Sequence, residues 1–223
     1  MLGAIAGDVI GSRFEHTGIK SKDFELFDLV NDDDKVIGQA LRSACHGDPG
    51  LIHRAVHVLV FNSSGALLLQ KRAPGKYIQP GKWDTSVGGH LGLGESYLAA
   101  AYREMAEELG LTGLPLMYLY RSVIRNQIES ENVQTYLAIT DNEIVYEHRE
   151  ISEVRFWTHD QIDQLLGQEI FTPNFEEEWQ MFKTFARRYQ SADPNRVVSA
   201  PERLFLIYGR SCMQPIAPIP GNA

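Results

Sequence analysis

The segment that decides the fold runs Gly89-His-Leu-Gly-Leu-Gly-Glu95-Ser-Tyr-Leu-Ala-Ala-Ala-Tyr-Arg103-Glu-Met-Ala-Glu-Glu108-Leu-Gly110-Leu111. Its stretch from Glu95 to Leu109 has the strongest helical pattern in the chain. At about 100° per residue, Glu104, Glu107 and Glu108 share one helix face, at spacings i, i+3 and i+4. A second, apolar face is expected to pack on a sheet. It consists of Leu98, Ala101, Tyr102, Met105 and Leu109.

The acidic face predicts a cation site. Three carboxylates this close repel one another unless a cation compensates their charge, and ligand sets made only of oxygen suit Mg²⁺ or Mn²⁺. Arg103 lies one turn before Glu107 and can orient it by an ion pair, and Gly110 supplies a helix stop. The glycines between positions 88 and 94 permit a tight loop whose backbone can approach an ion or a phosphate. A bare Glu-x-x-Glu-Glu is also typical of a solvated helix face, so the assignment depends on the longer pattern.

Composition narrows the class of protein. The chain has 223 residues, enough for one domain of ordinary size, and a formal net charge of -8. That sign excludes a sequence-independent nucleic-acid binder. The two cysteines, Cys45 and Cys212, form no C-x-x-C pair, which argues against a disulfide scaffold or a cysteine zinc site. Apolar runs are only strand-sized, and Asp8 interrupts the apolar N-terminus, so we expect no membrane segment, no signal peptide and a cytoplasmic location.

The pattern divides the chain into three zones: a Gly-rich appendage at 1–23, a dense domain at 24–190, and a tail at 191–223 that is expected to be partly disordered. Strands and helices mix in the middle zone, which predicts a single α/β or α+β domain. The predicted strands are 27–30, 36–38, 53–61, 66–72, 83–87, 116–124, 133–139 and 154–157, and the predicted helices are 95–109, 160–166 and 175–189.

The longer pattern is Gly89-x5-Glu95-x7-Arg103-Glu104-Met105-x-Glu107-Glu108-x-Gly110-Leu111, and it resembles the Nudix box at every position. The resemblance extends from roughly residue 24 to 190. The stretches 51–57, 70–72, 80–84 and 171–174 resemble the branch that holds the isopentenyl-diphosphate isomerases and neighbouring uncharacterised hydrolases. The resemblance implies an α/β/α sandwich with a mixed β-sheet, in which the box forms loop, helix and loop.

The resemblance also implies a reaction, the hydrolysis of a diphosphate linkage in a nucleoside diphosphate derivative or similar small molecule, with Mg²⁺ or Mn²⁺ as cofactor. By carry-over, Glu104 and Glu108 are the principal metal ligands, and Glu107 is a ligand or the general base. The carbonyl of Gly89 completes the shell. Glu95 and Arg103 brace the helix.

Three histidines carry the alternative reaction. His46, His53 and His90 match metal-binding histidines of the isomerases, and the pair Glu129 and Glu131 resembles their acidic pair, one residue out of register. These residues are candidates for a second metal site, for substrate contact or for structural hydrogen bonds.

The chain lacks the cysteine that the isomerases require. The isomerases carry Val-Cys-Gly-His where this chain has Val87-Gly88-Gly89-His90, and Gly88 cannot transfer a proton. Cys45 lies elsewhere. His57 sits within a strand pattern and is expected to be packed or hydrogen-bonded. The sequence therefore favours a hydrolase, with the isomerase and a non-catalytic ligand sensor as alternatives.

Other positions are candidates of lower specificity. Lys71, Arg72 and Lys82 are candidate substrate contacts, although each residue type is common on solvated surfaces. The expected partner is a small-molecule diphosphate, with no nucleic acid and no membrane. Related domains often dimerise, so the resemblance also suggests a homodimer.

The N-terminus carries a second resemblance, over Gly3–Glu15 and Lys20–Phe27, to the opening of the ADP-ribosylglycohydrolases, with Glu15 at the position of their catalytic acid. The match is short, and that family's Thr-Asp-Asp metal motif does not follow it. We therefore expect an appended segment without glycohydrolase activity.

Overall fold

The computed structural model of the chain describes residues 24–76 and 78–191, with side chains up to Arg187. The expectations for the appendage at 1–23, including Glu15, and for the tail beyond Ser191, including Cys212, lie outside the described residues. Within the described part, no helix is both long and apolar enough to cross a membrane.

The described residues form nine strands and four helices, and the expected mixed α/β architecture is confirmed. The strands are β1 Leu26–Val30, β2 Val36–Leu41, β3 Ile52–Phe61, β4 Leu67–Arg72, β5 Trp83–Asp84, β6 Val87–His90, β7 Met117–Arg125, β8 Ser130–Ile139 and β9 Ile151–Trp157. The helices are α1 Arg42–Cys45, α2 Tyr97–Leu109, α3 His159–Leu165 and α4 Pro173–Ser191.

The main sheet is mixed and has a split along one edge of β3. Strands follow the order β5-β4-β3-β8-β7, with β6 on β3 and β9 on β4. One edge of β3 pairs in parallel with β8 from Ile52 to Phe61. The other edge pairs with β6 through Ala55–Val58 and with β4 only at Phe61. β4 and β6 therefore diverge from the same strand.

Helices pack on both faces of β3. Because side chains alternate between the two faces of a strand, β3 contributes residues to a separate core on each side. Val56, Val58 and Val60 join one core together with Met105 and Leu109 of α2. Leu59 and Phe61 join the other core, which contains three aromatic residues of α4: Phe175, Trp179 and Phe182. These two cores produce the expected layers of helix, sheet and helix.

Helix α2 ends where the sequence predicts, at Leu109, and begins two residues later than predicted, at Tyr97. The Ser96 side chain accepts a hydrogen bond from the Ala99 N–H at the N-terminus, and Gly110 adopts the left-handed conformation, φ 65°, at the C-terminus. One part of the predicted apolar face is wrong, because Tyr102 is 40% exposed. The residues of α2 that contact the sheet lie on a face rotated away from Tyr102, so the Tyr102 side chain lies beside the contact and not within it. The buried residues are Tyr97, Ala100, Ala101, Met105 and Leu109.

The expected glycine loop is also shorter than predicted. Gly88 and Gly89 lie within β6 and pair with His57 and Val56 of β3, so the loop begins only at Leu91. The backbone hydrogen bonds of the sheet fix both glycines beside helix α2.

Candidate active site and metal-binding clusters

Two clusters of ionisable side chains lie against opposite faces of strand β6. Gly89 faces α2: a Cβ added at Gly89 would lie 2.0 Å from Cδ of Glu104. His90, the next residue, points the other way, and its Nε2 lies 2.8 Å from Oε1 of Glu131. We define the carboxylate cluster as Glu104, Glu107 and Glu108, and the histidine cluster as His46, His53, His90 and Glu131. Members of both clusters line a single cleft of about 1400 Å³.

Arg103 braces the carboxylate cluster. Its guanidinium donates two hydrogen bonds to Glu95, at 2.8 and 2.9 Å, and one to Oε1 of Glu104 at 2.7 Å. It also donates to the backbone carbonyl of His90 at 3.0 Å. The predicted ion pair with Glu107 exists, but at 3.4 Å it is the longest of these contacts. Arg103 thus ties the helix to β6 and leaves Glu107, whose side chain is 62% exposed, facing the cleft.

Glu108 is the buried member of the cluster. Burial and the charge of Glu104 raise its pKa to about 8, against the opposing hydrogen bonds from Gln70 and the Gly88 N–H. The Gln70 amide donates to Oε2 at 2.9 Å. A carboxyl whose ionised form is disfavoured by a neighbouring carboxylate gains most from a nearby cation. The donor set, all oxygen, fits Mg²⁺ or Mn²⁺.

The histidine cluster takes its residues from four segments. His46 directly follows α1, and His53, His90 and Glu131 lie on β3, β6 and β8. One ligand atom of each lies within 4.8 Å of those of the others. Nε2 of His46 and His90 are 3.2 Å apart, and Nε2 of His53 is 3.3 Å from Oε1 of Glu131. Three imidazoles and one carboxylate fit a tetrahedral or octahedral transition-metal ion better than Mg²⁺.

The protonation of the histidine cluster suits metal binding. Burial, and after it the charges of His90 and Arg42, lower the pKa of His46 to about 4. Burial also lowers the pKa of His90. Nδ1 of His90 lies 3.1 Å from the Arg42 guanidinium, which can only donate, so the proton of neutral His90 resides on Nε2. An ion bound at Nε2 would displace this proton, which makes binding pH-dependent.

The two glutamates of β8 and its approach behave differently. The hydrogen bonds from His53 and His90 outweigh burial and hold the pKa of Glu131 well below its usual range. Burial and the charge of Glu131 raise the pKa of Glu129, whose nearest cluster contact is His46 at 3.8 Å. The parallel register pairs Glu131 directly with His53, which places Glu131 inside the cluster and Glu129 at its rim.

The three basic residues singled out from the sequence do not lie together. Arg72 lines the cleft and pairs with Asp84 at 3.0 Å. Lys71 points to the other face of β4, because side chains alternate along a strand, and lies over the Trp83 ring at 5.8 Å. Lys82 is not among the cleft-lining residues of the described chain. Lys76 lines the cleft and pairs with Glu150 at 2.6 Å.

His57 forms an ion pair and is not a member of the histidine cluster of the described residues. Its partner is Glu178 of α4, 2.9 Å away. Sequence reasoning missed Glu178, Gln70 and Arg42, because nothing local marks them. Gln70 and Arg42 are ordinary polar residues of a strand and a short helix, and Glu178 belongs to a helix whose docking position the sequence does not specify.

Comparison with known proteins identifies the family. The NUDIX domain family matches residues 51–179, more than half of the 223-residue chain. The chain therefore belongs to the Nudix family, and the expected class of enzyme, a Nudix hydrolase acting on a pyrophosphate-type bond, is confirmed.

Similar proteins of known name belong to the branch of isomerase-like Nudix proteins that the sequence motifs indicate. The chain is 36% identical over 137 residues to isopentenyl-diphosphate Delta-isomerase 2 of Photorhabdus laumondii, a match that covers 59% of this chain and 76% of that one. It is 34% identical over 136 residues to an uncharacterised Nudix hydrolase of Pseudomonas aeruginosa, covering 61% and 80%. A crystal structure of a Deinococcus radiodurans protein superposes with a TM-score of 0.60 at 29% identity, covering 70% of this chain and 98% of that one. The predicted resemblance to isomerase-like Nudix proteins is thereby confirmed.

Proposed function

We propose that the chain is a Mg²⁺-dependent pyrophosphohydrolase, with Mn²⁺ as a substitute, that cleaves the diphosphate linkage of a nucleoside diphosphate derivative or a similar small molecule. One observation carries the proposal: Glu104 lies against Gly89, Glu108 accepts from the N–H of Gly88, and burial together with the charge of Glu104 raises the pKa of Glu108 to about 8. Such an arrangement is costly without a cation. Mg²⁺ bound there supplies charge neutralisation for the diphosphate and its leaving group.

Each residue of the cluster has a distinct task in this reaction. Glu104 and Glu108 would hold the ion together with the Gly89 carbonyl, and Arg103 holds Glu104 in place through its 2.7 Å hydrogen bond. Glu107, the exposed member, accepts the proton of the attacking water. The new bond forms between the water oxygen and phosphorus, and the bridging P–O bond breaks. Proton transfer of this kind contributes about 10²–10⁴-fold to the rate.

The histidine cluster is the basis for a second ion. We assign His46, His53, His90 and Glu131 as its ligands, on the ground that their nitrogen and carboxylate atoms converge within 4.8 Å and that the pKa values of His46 and His90 are lowered. Its tests are independent of hydrolysis, because an ion can be detected by binding alone.

Isomerisation of isopentenyl diphosphate is the second candidate function. The histidine cluster and the isomerases among the relatives favour it. Against it, position 88 is a glycine and has no thiol to move a proton. The thiol of Cys45 is fully buried and is not among the cleft-lining residues that the structure describes.

The test is ³¹P NMR of the full chain with Mg²⁺ and a panel that contains ADP-ribose, NADH, a nucleoside triphosphate mixture and isopentenyl diphosphate. The proposal predicts new monophosphate signals from at least one compound, and their absence in Glu108→Gln. Proton rearrangement of isopentenyl diphosphate without phosphate release would instead establish the isomerase. Saturable binding of a compound that is never turned over would establish a sensor.

A further inference from the structure

The cleft that contains the carboxylate cluster and the histidine cluster also contains an ion pair that belongs to neither of them. His57 of β3 and Glu178 of α4 form an ion pair with Nδ1 and Oε2 2.9 Å apart, and their side chains are 14% and 2% exposed. The hydroxyl of Thr135 donates to the other Glu178 oxygen at 2.8 Å. Glu178 is thus held from β8 as well as β3, which fixes the orientation of the His57 ring.

The other edge of the ring faces Gly88. His57 and Gly88 are direct neighbours in the pairing of β3 with β6. A Cβ at Gly88 would lie 3.5 Å from Cδ2 and 3.7 Å from Nε2 of His57, which is ordinary contact distance. The Gly88 N–H itself lies 3.4 Å from Oε2 of Glu108. Gly88 therefore faces the His57 ring and contacts Glu108 through its backbone N–H, and His57, Gly88 and Glu178 all line the cleft.

The pair is charged at neutral pH. Burial alone would lower the pKa of His57, but the charge and hydrogen bond of Glu178 outweigh it and raise the pKa to about 9. The pKa of Glu178 is correspondingly lowered, against the effect of its own burial. An imidazolium carries a proton on both ring nitrogens, so Nε2, on the side of Gly88, is a donor.

We propose that His57, oriented by Glu178, binds the substrate by donating a hydrogen bond from Nε2 to a phosphoryl oxygen of the diphosphate. This assignment rests on the proposed function for the class of substrate. The cleft is rich in carboxylates, so an anion bound there needs cationic donors, and charge-assisted hydrogen bonds are the strongest available. Two other basic residues that line the cleft, Arg72 and Lys76, already form ion pairs with Asp84 and Glu150. His57 and Gly88 both line the cleft, and Gly88 has no side chain in front of the ring.

The test uses imidodiphosphate, a diphosphate analogue with a nitrogen bridge that resists hydrolysis, together with Mg²⁺. In the unmodified protein, the ¹⁵N resonance of His57 Nε2 is expected to shift on saturation. By calorimetry, His57→Gln is expected to weaken binding by about 10- to 100-fold, the usual effect of losing a hydrogen bond to a charged group. The control is His159→Gln, which alters a histidine packed on Trp179 outside the cleft lining and should leave the affinity unchanged.

A purely structural pair predicts different results. His57→Gln would then lower the melting temperature and leave the affinity for imidodiphosphate unchanged, and the Nε2 resonance would not move. Either of the last two results overturns the assignment, as does the absence of imidodiphosphate binding to the unmodified protein. If His57→Gln does not fold, the double variant His57→Gln/Glu178→Gln removes both charges together, and the NMR experiment needs no variant. Turnover in the ³¹P assay reports separately on the proposed function, so hydrolysis with a static Nε2 resonance would eliminate only the role of His57.

Discussion

The carboxylate cluster comes from little more than one turn of α2, whereas the histidine cluster takes one residue from each of four segments between His46 and Glu131. Both depend on β6, whose consecutive residues Gly89 and His90 face opposite sides of the sheet. The spacing i, i+3, i+4 places carboxylates together in any helix. The histidines come together only after α1, β3, β6 and β8 have adopted their register. One site is thus encoded locally, and the other is encoded by the sheet.

The two clusters also differ in charge. In the carboxylate cluster, burial and the charge of Glu104 raise the pKa of Glu108 to about 8. In the histidine cluster, burial lowers the pKa values of His46 and His90, and hydrogen bonds from the histidines hold the pKa of Glu131 well below its usual range. The first set of donors suits a hard cation such as Mg²⁺, and the second suits zinc, manganese or a similar transition-metal ion. Variants that affect one cluster and spare the other therefore test whether the two centres are separate.

The largest effect is expected from a side chain added at Gly89 of β6. Gly89→Ala introduces a Cβ that would lie 2.0 Å from Glu104, so the carboxylate must move and Mg²⁺-dependent turnover should fall by about 10²-fold or more. Gly38→Ala is the matched control, since Gly38 lies in strand β2, is not among the cleft-lining residues of the described chain, and its Cβ would meet only Cδ1 of Leu29, at 3.9 Å. Steady-state kinetics of the two variants on the substrate identified by ³¹P NMR makes the comparison. Equal losses in both variants would contradict the placement of Glu104 against Gly89.

A smaller effect is expected in metal affinity, and it tests whether the two clusters bind different ions. His53→Gln removes a buried nitrogen ligand, and affinity for Co²⁺, measured by its visible absorption, should fall by at least about tenfold. Glu104→Gln should leave the Co²⁺ band intact while it weakens activation by Mg²⁺. A Co²⁺ band that persists in His53→Gln and disappears in Glu104→Gln would show that the assignment of ligands is reversed.

The ion pair between His57 and Glu178 should make stability depend on pH. The pKa of His57 is raised to about 9, so its stabilising effect is complete below the ordinary value of 6.5 and is lost as the pH rises through 9. The pKa of Glu178 is lowered, so its effect is present above its ordinary value of 4.5 and is lost as the pH falls through its value in the folded chain. Relative to His57→Gln/Glu178→Gln, the free energy of unfolding should drop by on the order of 2 kcal/mol between pH 7 and pH 10. Urea titrations at both pH values measure it, and a pH-independent difference would argue against the charged pair.

The smallest effect concerns the helix that carries the carboxylates. Ser96→Ala removes the N-cap of α2 and should cost about 1 kcal/mol of unfolding free energy, by urea titration. Turnover at a temperature where the variant remains folded should be unchanged, because Ser96 lies a full helix length from Glu108. A large loss of turnover would mean that the geometry of the cluster depends on the start of the helix.

The sequence predicts the locally encoded carboxylate cluster better than it predicts the features that depend on the assembled sheet. Helix α2, its stop at Gly110 and the carboxylate face are local features, and the structure confirms them. Tyr102 was misplaced because helical spacing defines a face only to within about one residue. Gly88 and Gly89 were assigned to a loop because glycine is rare in strands, whereas pairing with β3 overrides that preference.

The histidine cluster marks the limit of such prediction. Its histidines could be singled out only by resemblance, and the pairing of His53 with Glu131 follows from the parallel register of β3 and β8. Glu178 approaches His57 because α4 docks on that face of the sheet through Trp179 and Phe182. Register and docking are long-range properties, and a single sequence does not encode them in any local pattern.

The most direct test of the account compares Glu108→Gln with Glu131→Gln in the hydrolysis assay, with Mg²⁺ as the added ion. Each variant replaces one buried carboxylate by an amide of the same shape, one in each cluster. The account predicts that Glu108→Gln loses about 10²–10⁴-fold in turnover, while Glu131→Gln retains most of it and loses affinity for the transition-metal ion. Hydrolysis that survives in Glu108→Gln and disappears in Glu131→Gln would contradict the assignment of hydrolysis to the carboxylate cluster.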